Sequence, residues 1–400
     1  MNFQCEPLGK NIKILMVNPL VPSSQLLLIK IMSGLVFGDN VFIDLQLLVY
    51  SDKVAPAETL KCELEKCAFS NTNSIQVITN LPRPKDADVF CVMSDFENPN
   101  YFDIDGMENE TQFDTMYLLI KFANHLVWND DDEVNSQKNK TKPIFVTDGL
   151  LAMNILFSLS KNLPKDLFFC LSPIEVIAKS VLGDHLNVRF NQINEVRVWA
   201  ANDRVFHVEV EKPIIITDSV GDGSNTQCDR KIISKATLQS SKLDYTQFNS
   251  TWMRKEFIEK VASYAARNPY GCIYKAAEFA KSLKQIWKAR TGGTKVCSNM
   301  GVISDGSIGT AKGYPYVLPI IFNGNTWEVN KCYEDNSYLK QEMKRINKAA
   351  EEENQKLIPF CKKFLEENVI NLGFVSVDNV TSSYCDESSS HCLLRRTSRS

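Results

Sequence analysis

The sequence lacks the marks of a membrane or secreted protein. Its 400 residues contain no run of eighteen apolar residues, and the opening MNFQCEPLGK has no basic start followed by a long apolar stretch. A membrane span needs about 20 consecutive apolar residues, and a signal peptide needs such a start. We therefore expect a chain without a membrane partner.

The sequence also lacks closely spaced cysteine pairs and a large net charge. The chain has twelve cysteines but no CxxC pair, and it contains no HExxH or clustered His/Cys/Asp set. This pattern predicts buried free thiols in the reducing cytoplasm, and no metal site. The net charge of −3 gives no electrostatic reason to expect nucleic acid as a partner.

The turn after the first predicted strand has no glycine. An apolar strand over 12–18 leads into NPLVPSS (18–24), and a helix then runs to Gly34. A bound pyrophosphate needs close approach of the backbone at such a turn, which glycine permits. Pro19 and Pro22 also remove two backbone donors. The turn is typical of a strand–turn–helix that binds no ligand.

Strands alternate with helices through the first half of the chain. Further strands are predicted over 41–50, 75–81, 86–94 and 142–149, and a helix over 111–127. This order predicts an α/β fold with a Rossmann-like, doubly wound parallel sheet. Two polar stretches, 95–110 and 129–142, are predicted to be surface loops, the second of them disordered.

The second half predicts an α+β domain. Residues 194–217 are rich in β-formers, and helical patterns cover 251–266, 270–290 and 337–367. Between them, 314–329 reads as a hairpin with its turn at Asn323-Gly324. We expect three units: a dinucleotide-binding-type domain over 1–158, a second domain over 159–373 and a Ser-rich tail over 374–400.

Six segments carry a family resemblance. They are SGLVFG (33–38), ELEKCAF (63–69), LPKDLFFCLS (163–172), TWMRKEF (251–257), LKQIW (283–287) and MGVISDGSIG (300–309). In order and spacing they resemble the malate/lactate dehydrogenase superfamily, specifically its cytosolic malate dehydrogenase branch. The resemblance covers about residues 12–367. It implies a Rossmann-like domain, a C-terminal domain of the malate/lactate dehydrogenase type and NAD as the cofactor.

The resemblance also locates the cofactor positions. The family's glycine-rich GxxGxxA/G turn matches Asn18, Val21 and Ser24, and its ribose-binding aspartate matches Val49. Asp52 lies three residues further on as a poor substitute. Glycine and carboxylate are therefore both replaced where the resemblance places the dinucleotide.

The substrate positions are replaced as well. The family grips a dicarboxylate with arginines, two of them on the loop that matches 95–110, where this chain has none. Asn109 matches the second arginine and Ala178 approximately matches the third. Gly149 takes the place of the substrate-orienting asparagine, while Asn154 is expected to keep a structural hydrogen bond.

The proton-transfer pair is incomplete. Trp199 aligns with the family's Trp-Gly-Asn-like turn, Asn202 takes the place of the catalytic histidine, and Glu175 that of its carboxylate partner. Asparagine cannot exchange a proton near neutral pH, and losing a general acid–base costs about 10²–10⁴-fold in rate. His207 is predicted to be a partly buried strand residue. The remaining histidines, His125, His185 and His391, are predicted to be structural or exposed.

These replacements predict a degenerate malate dehydrogenase-like protein, a pseudoenzyme retained as a binding or structural subunit. No cofactor is expected, or NAD if any. Two alternatives stay open: an active NAD-dependent malate dehydrogenase that holds pyrophosphate with Ser23, Ser24 and main-chain amides, and a non-catalytic nucleotide sensor. The resemblance implies a homodimer, and a pseudoenzyme implies an unknown protein partner.

Overall fold

The computed structural model describes most of the chain. The described residues are 10–103, 110–129, 142–187, 189, 193–215, 252–267, 270–292, 295–331 and 334–370. The predicted loop over 129–142 and the predicted tail therefore lie almost entirely outside the described residues.

Eleven strands form one sheet. They are β1 Lys10–Val17, β2 Val41–Leu48, β3 Thr72–Ile78, β4 Val89–Val92, β5 Ile144–Thr147, β6 Phe168–Cys170, β7 Ile193–Ala200, β8 Phe206–Ile215, β9 Val296–Ile303, β10 Pro315–Asn323 and β11 Thr326–Val329. Their order is β3-β2-β1-β4-β5-β6-β9-β10-β7-β8, with β11 beside β10. The first six strands of that order are parallel, and the rest pair antiparallel.

Eight α-helices accompany the sheet in the described residues. They are α1 Pro22–Met32, α2 Val54–Lys66, α3 Glu110–His125, α4 Leu150–Leu159, α5 Ile174–Leu186, α6 Ile258–Ala265, α7 Cys272–Gly292 and α8 Ser337–Phe364. A π-helical turn, Met253–Phe257, precedes α6, and another, Leu365–Ile370, follows α8. The parallel strands with their connecting helices confirm the predicted α/β fold.

The sheet is buried on both faces. Ile14, Leu15, Met16 and Val17 of β1 are fully buried, and alternate residues of this run join two separate apolar clusters. A strand covered on both sides needs a continuous apolar sequence, which explains why β1 was recognisable. The sheet also continues across the predicted domain boundary at residue 158, since β5 pairs with β6; the division into domains stays a prediction.

Local sequence signals explain the ends of α1 and the hairpin between β10 and β11. Pro22 occupies the first turn of α1, where its missing N–H costs nothing, and Gly34 with φ 78° follows the helix. The predicted hairpin is confirmed, but its turn lies one residue later than expected. Asn323 pairs with Thr326, so the two loop residues are Gly324, with φ 64°, and Asn325.

The predicted free thiols are only partly buried. Seven cysteines in the described residues are free, of which Cys91, Cys170 and Cys361 are buried. The other four, Cys62, Cys67, Cys272 and Cys297, are exposed, which corrects the expectation of burial for them. No helix within the described ranges combines the length and apolar character that a bilayer crossing requires.

Candidate functional site

The β1–α1 turn keeps a glycine-like backbone without a glycine. Asn18 lies in the left-handed region with φ 61°. Asparagine tolerates this conformation better than most residues, because its short side chain can hydrogen-bond locally. The chain therefore leaves β1 with a positive φ at the position that the resemblance assigns to a glycine.

The inside of that turn is filled by its own side chains. Ser24 is 0% exposed, and its hydroxyl donates to the Asn18 carbonyl at 2.8 Å. Val21, the residue before the first helical turn, is also buried. The Ser24 hydroxyl thus closes the turn on itself, which leaves little room for a pyrophosphate.

The end of β2 carries no carboxylate. Val49 is buried, and its N–H donates to the Ile78 carbonyl at 3.0 Å. The next residue, Tyr50, packs against Tyr117 of α3 with ring centroids 6.0 Å apart. Asp52 is 70% exposed and lies 3.6 Å from the Lys53 ammonium. In this structure Val49 is thus a buried packing residue and Asp52 an exposed one.

The loop that follows β4 is not the surface loop we expected. Phe96, Pro99, Asn100 and Phe102 are buried, Asn100 being only 2% exposed. The interpretation as a solvated loop is wrong for this half; residues 104–109, including Asn109, lie outside the described residues. We call residues 98–102 the cleft strap, because they pack against residues 149–151, which follow the carboxyl end of β5.

The cleft strap occupies the space beside Gly149. A Cβ atom at Gly149 would lie 2.3 Å from the Pro99 carbonyl oxygen. That oxygen accepts a hydrogen bond from the Leu151 N–H at 3.0 Å, and the Leu150 N–H donates to Asn100 Oδ1 at 3.0 Å. With φ −176°, Gly149 is required by this close approach and not by its own backbone conformation.

A second set of contacts ties the strap to the turn after β7. Asn98 Nδ2 and the Tyr270 hydroxyl both donate to Asp203 Oδ2 at 2.8 Å. Asn100 Nδ2 donates to the Tyr270 oxygen at 3.2 Å. The Arg204 guanidinium lies 3.6 Å from the centroid of the Tyr101 ring. Charge-assisted hydrogen bonds and a cation–π contact therefore hold the strap against this turn.

Asn202 has a structural environment. Its Nδ2 donates to Glu353 Oε2 at 2.6 Å, and its Oδ1 accepts from the N–H groups of Arg204 and Val205. Glu353, on α8, also accepts from the Phe102 N–H at 3.0 Å. Burial raises the pKa of Glu353 to about 7, although the hydrogen bonds from Asn202 and Phe102 act against this. Asn202 thus helps to fasten the end of the strap.

Glu175 belongs to a different network. On α5, it pairs with Lys179 and accepts from Asn299 Nδ2 at 2.8 Å. Burial would raise the pKa of Glu175, but the charges of Lys179 and Lys281 outweigh it and the pKa is lowered. Asn202 is hydrogen-bonded to α8 and to its own turn, so it shares no hydrogen-bond partner with Glu175.

Two further expected positions serve packing and structure. Ala178 is fully buried in the apolar cluster beneath α5. Asn154 keeps the structural hydrogen bond that we predicted, since its Nδ2 donates to Asn354 Oδ1 at 3.1 Å and its Oδ1 accepts from Ser158.

The three described histidines differ in their surroundings. His207 is buried on β8, with its Nε2 2.9 Å from Glu209 Oε1. His185 stacks on Trp252 with centroids 3.8 Å apart, and His125 is exposed at the end of α3. His391 lies outside the described residues.

A buried ion pair anchors the start of the loop. Lys275 Nζ, on α7, lies 3.4 Å from Asp148 Oδ2 and donates to the Phe96 carbonyl at 3.1 Å. The Ser94 hydroxyl donates to Asp148 Oδ1 at 2.7 Å. Burial raises the pKa of Asp148, while Lys275 and Ser94 act in the opposite direction. Within the described residues, no group of His, Cys, Asp and Glu side chains is arranged to hold a metal ion.

Sequence reasoning missed this polar network. Its members are Asn98, Asn100, Asp148, Asp203, Tyr270, Lys275 and Glu353. One signal was present: Lys275 lies four residues before Phe279 and eight before Leu283, on the buried stripe of α7. A lysine on an apolar helix face predicts a buried partner.

Comparisons with known proteins find sequence similarity to malate dehydrogenases. The chain is 22% identical over 366 residues to cytoplasmic malate dehydrogenase of Bos taurus, covering 88% of this chain and 99% of the relative. It is 21% identical over 321 residues to a human protein named as malate dehydrogenase 1B. That match covers 78% of this chain and 57% of the human protein's length. No family profile matches the chain.

Solved structures decide the fold. The malate dehydrogenase of Naegleria fowleri superposes with a TM-score of 0.62 at 15% identity, covering 89% of this chain and 100% of that one. The fold is that of the malate and lactate dehydrogenases. A Trichomonas vaginalis lactate dehydrogenase in complex with NADH and oxamate matches with a TM-score of 0.60 at 14% identity, covering 88% of this chain and 99% of its own.

Proposed function

We propose that this chain is a non-catalytic malate dehydrogenase-like protein whose own cleft strap occupies the dehydrogenase cleft. One observation carries the proposal: the Pro99 carbonyl lies where a side chain at residue 149 would begin. In a malate/lactate dehydrogenase fold, ligands bind outside the carboxyl ends of the parallel strands. Here the strap that lies beside Gly149 is hydrogen-bonded to α4, to the turn after β7, to Tyr270 and to α8.

The residues at the proton-transfer and cofactor positions also lack the chemical groups that a dehydrogenase requires. Asn202 cannot exchange a proton, and both of its amide atoms are already engaged. The first turn does not fit a dinucleotide, because Val21 and Ser24 fill it and Pro19 and Pro22 offer no N–H. We therefore propose no NAD-dependent step for this chain.

Cofactor binding and turnover test the proposal together. We expect no heat of binding when NADH is titrated into the purified protein, and no NADH oxidation with oxaloacetate. Cytoplasmic malate dehydrogenase of Bos taurus serves as the positive control. Micromolar NADH binding, or turnover within a few orders of magnitude of that control, would refute the proposal.

A second candidate function rests on Glu353. This carboxyl group contacts Asn202, and burial raises its pKa to about 7, which is near the pH at which a general acid–base works best. An active dehydrogenase would use Glu353 to exchange the proton of the substrate hydroxyl once the strap had moved. In that case Glu353→Gln would abolish a measurable turnover, whereas our first proposal gives no turnover in either protein.

We further propose that the chain acts as a structural or binding subunit in the cytoplasm, as a homodimer or with an unknown protein partner. The cytoplasmic names of similar proteins support the location. Analytical ultracentrifugation of the full chain tests the homodimer, and a purely monomeric species at micromolar concentration would refute it.

A further inference from the structure

A cavity lies between α5 and α6. Its volume is about 420 Å³, and it is lined by Val181, Asp184, His185, Lys260, Ser263, Tyr264 and Arg267. Cavities of about 300–1,000 Å³ hold small ligands. None of these residues is a position that the resemblance assigns to cofactor, substrate or proton transfer, so the cavity can be tested separately from the proposed function.

Each of the two walls of the cavity is formed by one face of one helix. Asp184 and His185 lie three and four residues after Val181 on α5. Ser263 and Tyr264 lie three and four residues after Lys260 on α6, and Arg267 lies three residues after Tyr264, beyond the end of that helix. Side chains three and four residues apart share one face of a helix. The polar groups therefore converge on one space instead of pointing apart.

The charge in this space is positive. Lys260 and Arg267 oppose the single carboxylate of Asp184. Within the described part of the chain, neither cation is neutralised by an ion pair. Arginine and lysine in a concave site favour anionic oxygen ligands.

Aromatic contacts restrict two of the polar groups. The Arg267 guanidinium lies 4.9 Å from the centroid of Tyr264. The His185 ring stacks on Trp252 at 3.8 Å. A donor whose plane is held by stacking loses less conformational entropy when it binds. The serine and tyrosine hydroxyls add further donors beside them.

We propose that this cavity binds a small, doubly charged oxyanion of the phosphate or dicarboxylate type. Lys260 and Arg267 would supply the opposite charge, with His185, Ser263 and Tyr264 as hydrogen-bonding groups. Asp184 lies beside the cations and disfavours larger, more highly charged anions.

Isothermal titration of the full chain with inorganic phosphate and, separately, with malonate tests this. We expect at least one of them to bind with a dissociation constant below 10 mM, and the stronger of the two identifies the ligand as phosphate-like or carboxylate-like. The double variant Lys260→Ala/Arg267→Ala should weaken that binding at least tenfold. The matched control, Lys255→Ala/Lys284→Ala, removes the same charge from exposed positions outside the cavity and should change it less than twofold.

A third variant separates the cavity from general charge. Ser263→Trp keeps both cations but fills the space from an exposed position, and it should also weaken binding at least tenfold. Thermal unfolding of each variant shows that it is folded. Absence of binding by both anions, or equal losses in the cavity and control variants, would overturn the proposal without affecting the proposed function.

Discussion

The Pro99 carbonyl oxygen lies 2.3 Å from the point where a Cβ atom at Gly149 would be placed. Real Cβ atoms do not approach backbone oxygens so closely, so any side chain at residue 149 must displace the cleft strap. The position of the strap therefore depends on the absence of a side chain at residue 149. This relationship makes the occupied cleft testable by ordinary mutagenesis.

Gly149→Ala should destabilise the protein. The added methyl group meets Pro99, and overpacking of this kind costs about 1–3 kcal/mol. Gly271→Ala is the matched control, because nothing lies within 4 Å of its Cβ position and the residue is exposed. Chemical denaturation measures both. A loss at Gly149 no larger than that at Gly271 would show that the strap does not press on this residue.

Asn202→His should not create a dehydrogenase. The substitution removes the hydrogen bonds of the Asn202 amide to Glu353 and to the Arg204 and Val205 N–H groups, which costs about 1–3 kcal/mol of stability. Cofactor and substrate positions remain changed. NADH oxidation with oxaloacetate is the assay, and turnover by this single variant would contradict the proposed loss of binding contacts.

Stability should fall as pH rises from about 4.5 to about 7. The pKa of Glu353 is about 7 in the folded protein and near its usual 4.5 in the unfolded chain, so the folded state binds more protons in this window. The contribution of Glu353 to stability therefore decreases as pH rises, by at most about 1.4 kcal/mol per pH unit.

Glu353→Gln isolates this effect. The variant removes the titration, so its stability should change less between pH 5 and 7 than that of the original protein. Glu352→Gln is the control, since Glu352 is exposed and lies 3.7 Å from Lys348. Urea titrations at several pH values measure the slopes. An unchanged slope in Glu353→Gln would mean that another group is responsible.

Lys275→Met should be strongly destabilising. It leaves the buried Asp148 carboxylate without its cation, a change that costs about 3–5 kcal/mol. Adding Asp148→Asn should recover part of this loss, because the uncompensated charge is then gone. Lys284→Met, on an exposed position of the same helix, should change stability by less than about 0.5 kcal/mol. Additive losses in the double variant would argue against a coupled pair.

The fold could largely be predicted from the sequence, but the burial of the segment after β4 could not. Strand β1 could be recognised because both of its faces are buried, and α1 because proline and glycine mark its ends. The acidic stretch after β4 was misjudged, because its composition resembles that of a solvated loop. Its burial depends on Asp203, Tyr270, Lys275 and Glu353, which come from distant parts of the sequence. Such long-range polar pairing has no local period.

The absence of a side chain at Gly149 also bears on how this protein could change over time. A Gly149→Asn substitution alone would displace the cleft strap, because the new side chain would meet Pro99. Under the proposed function, a gain of catalysis would thus require the strap, Gly149, Asn202 and the first turn to change together. A substitution at Gly149 is therefore tied to a change in residues 98–102, which links these two segments of the chain in evolution.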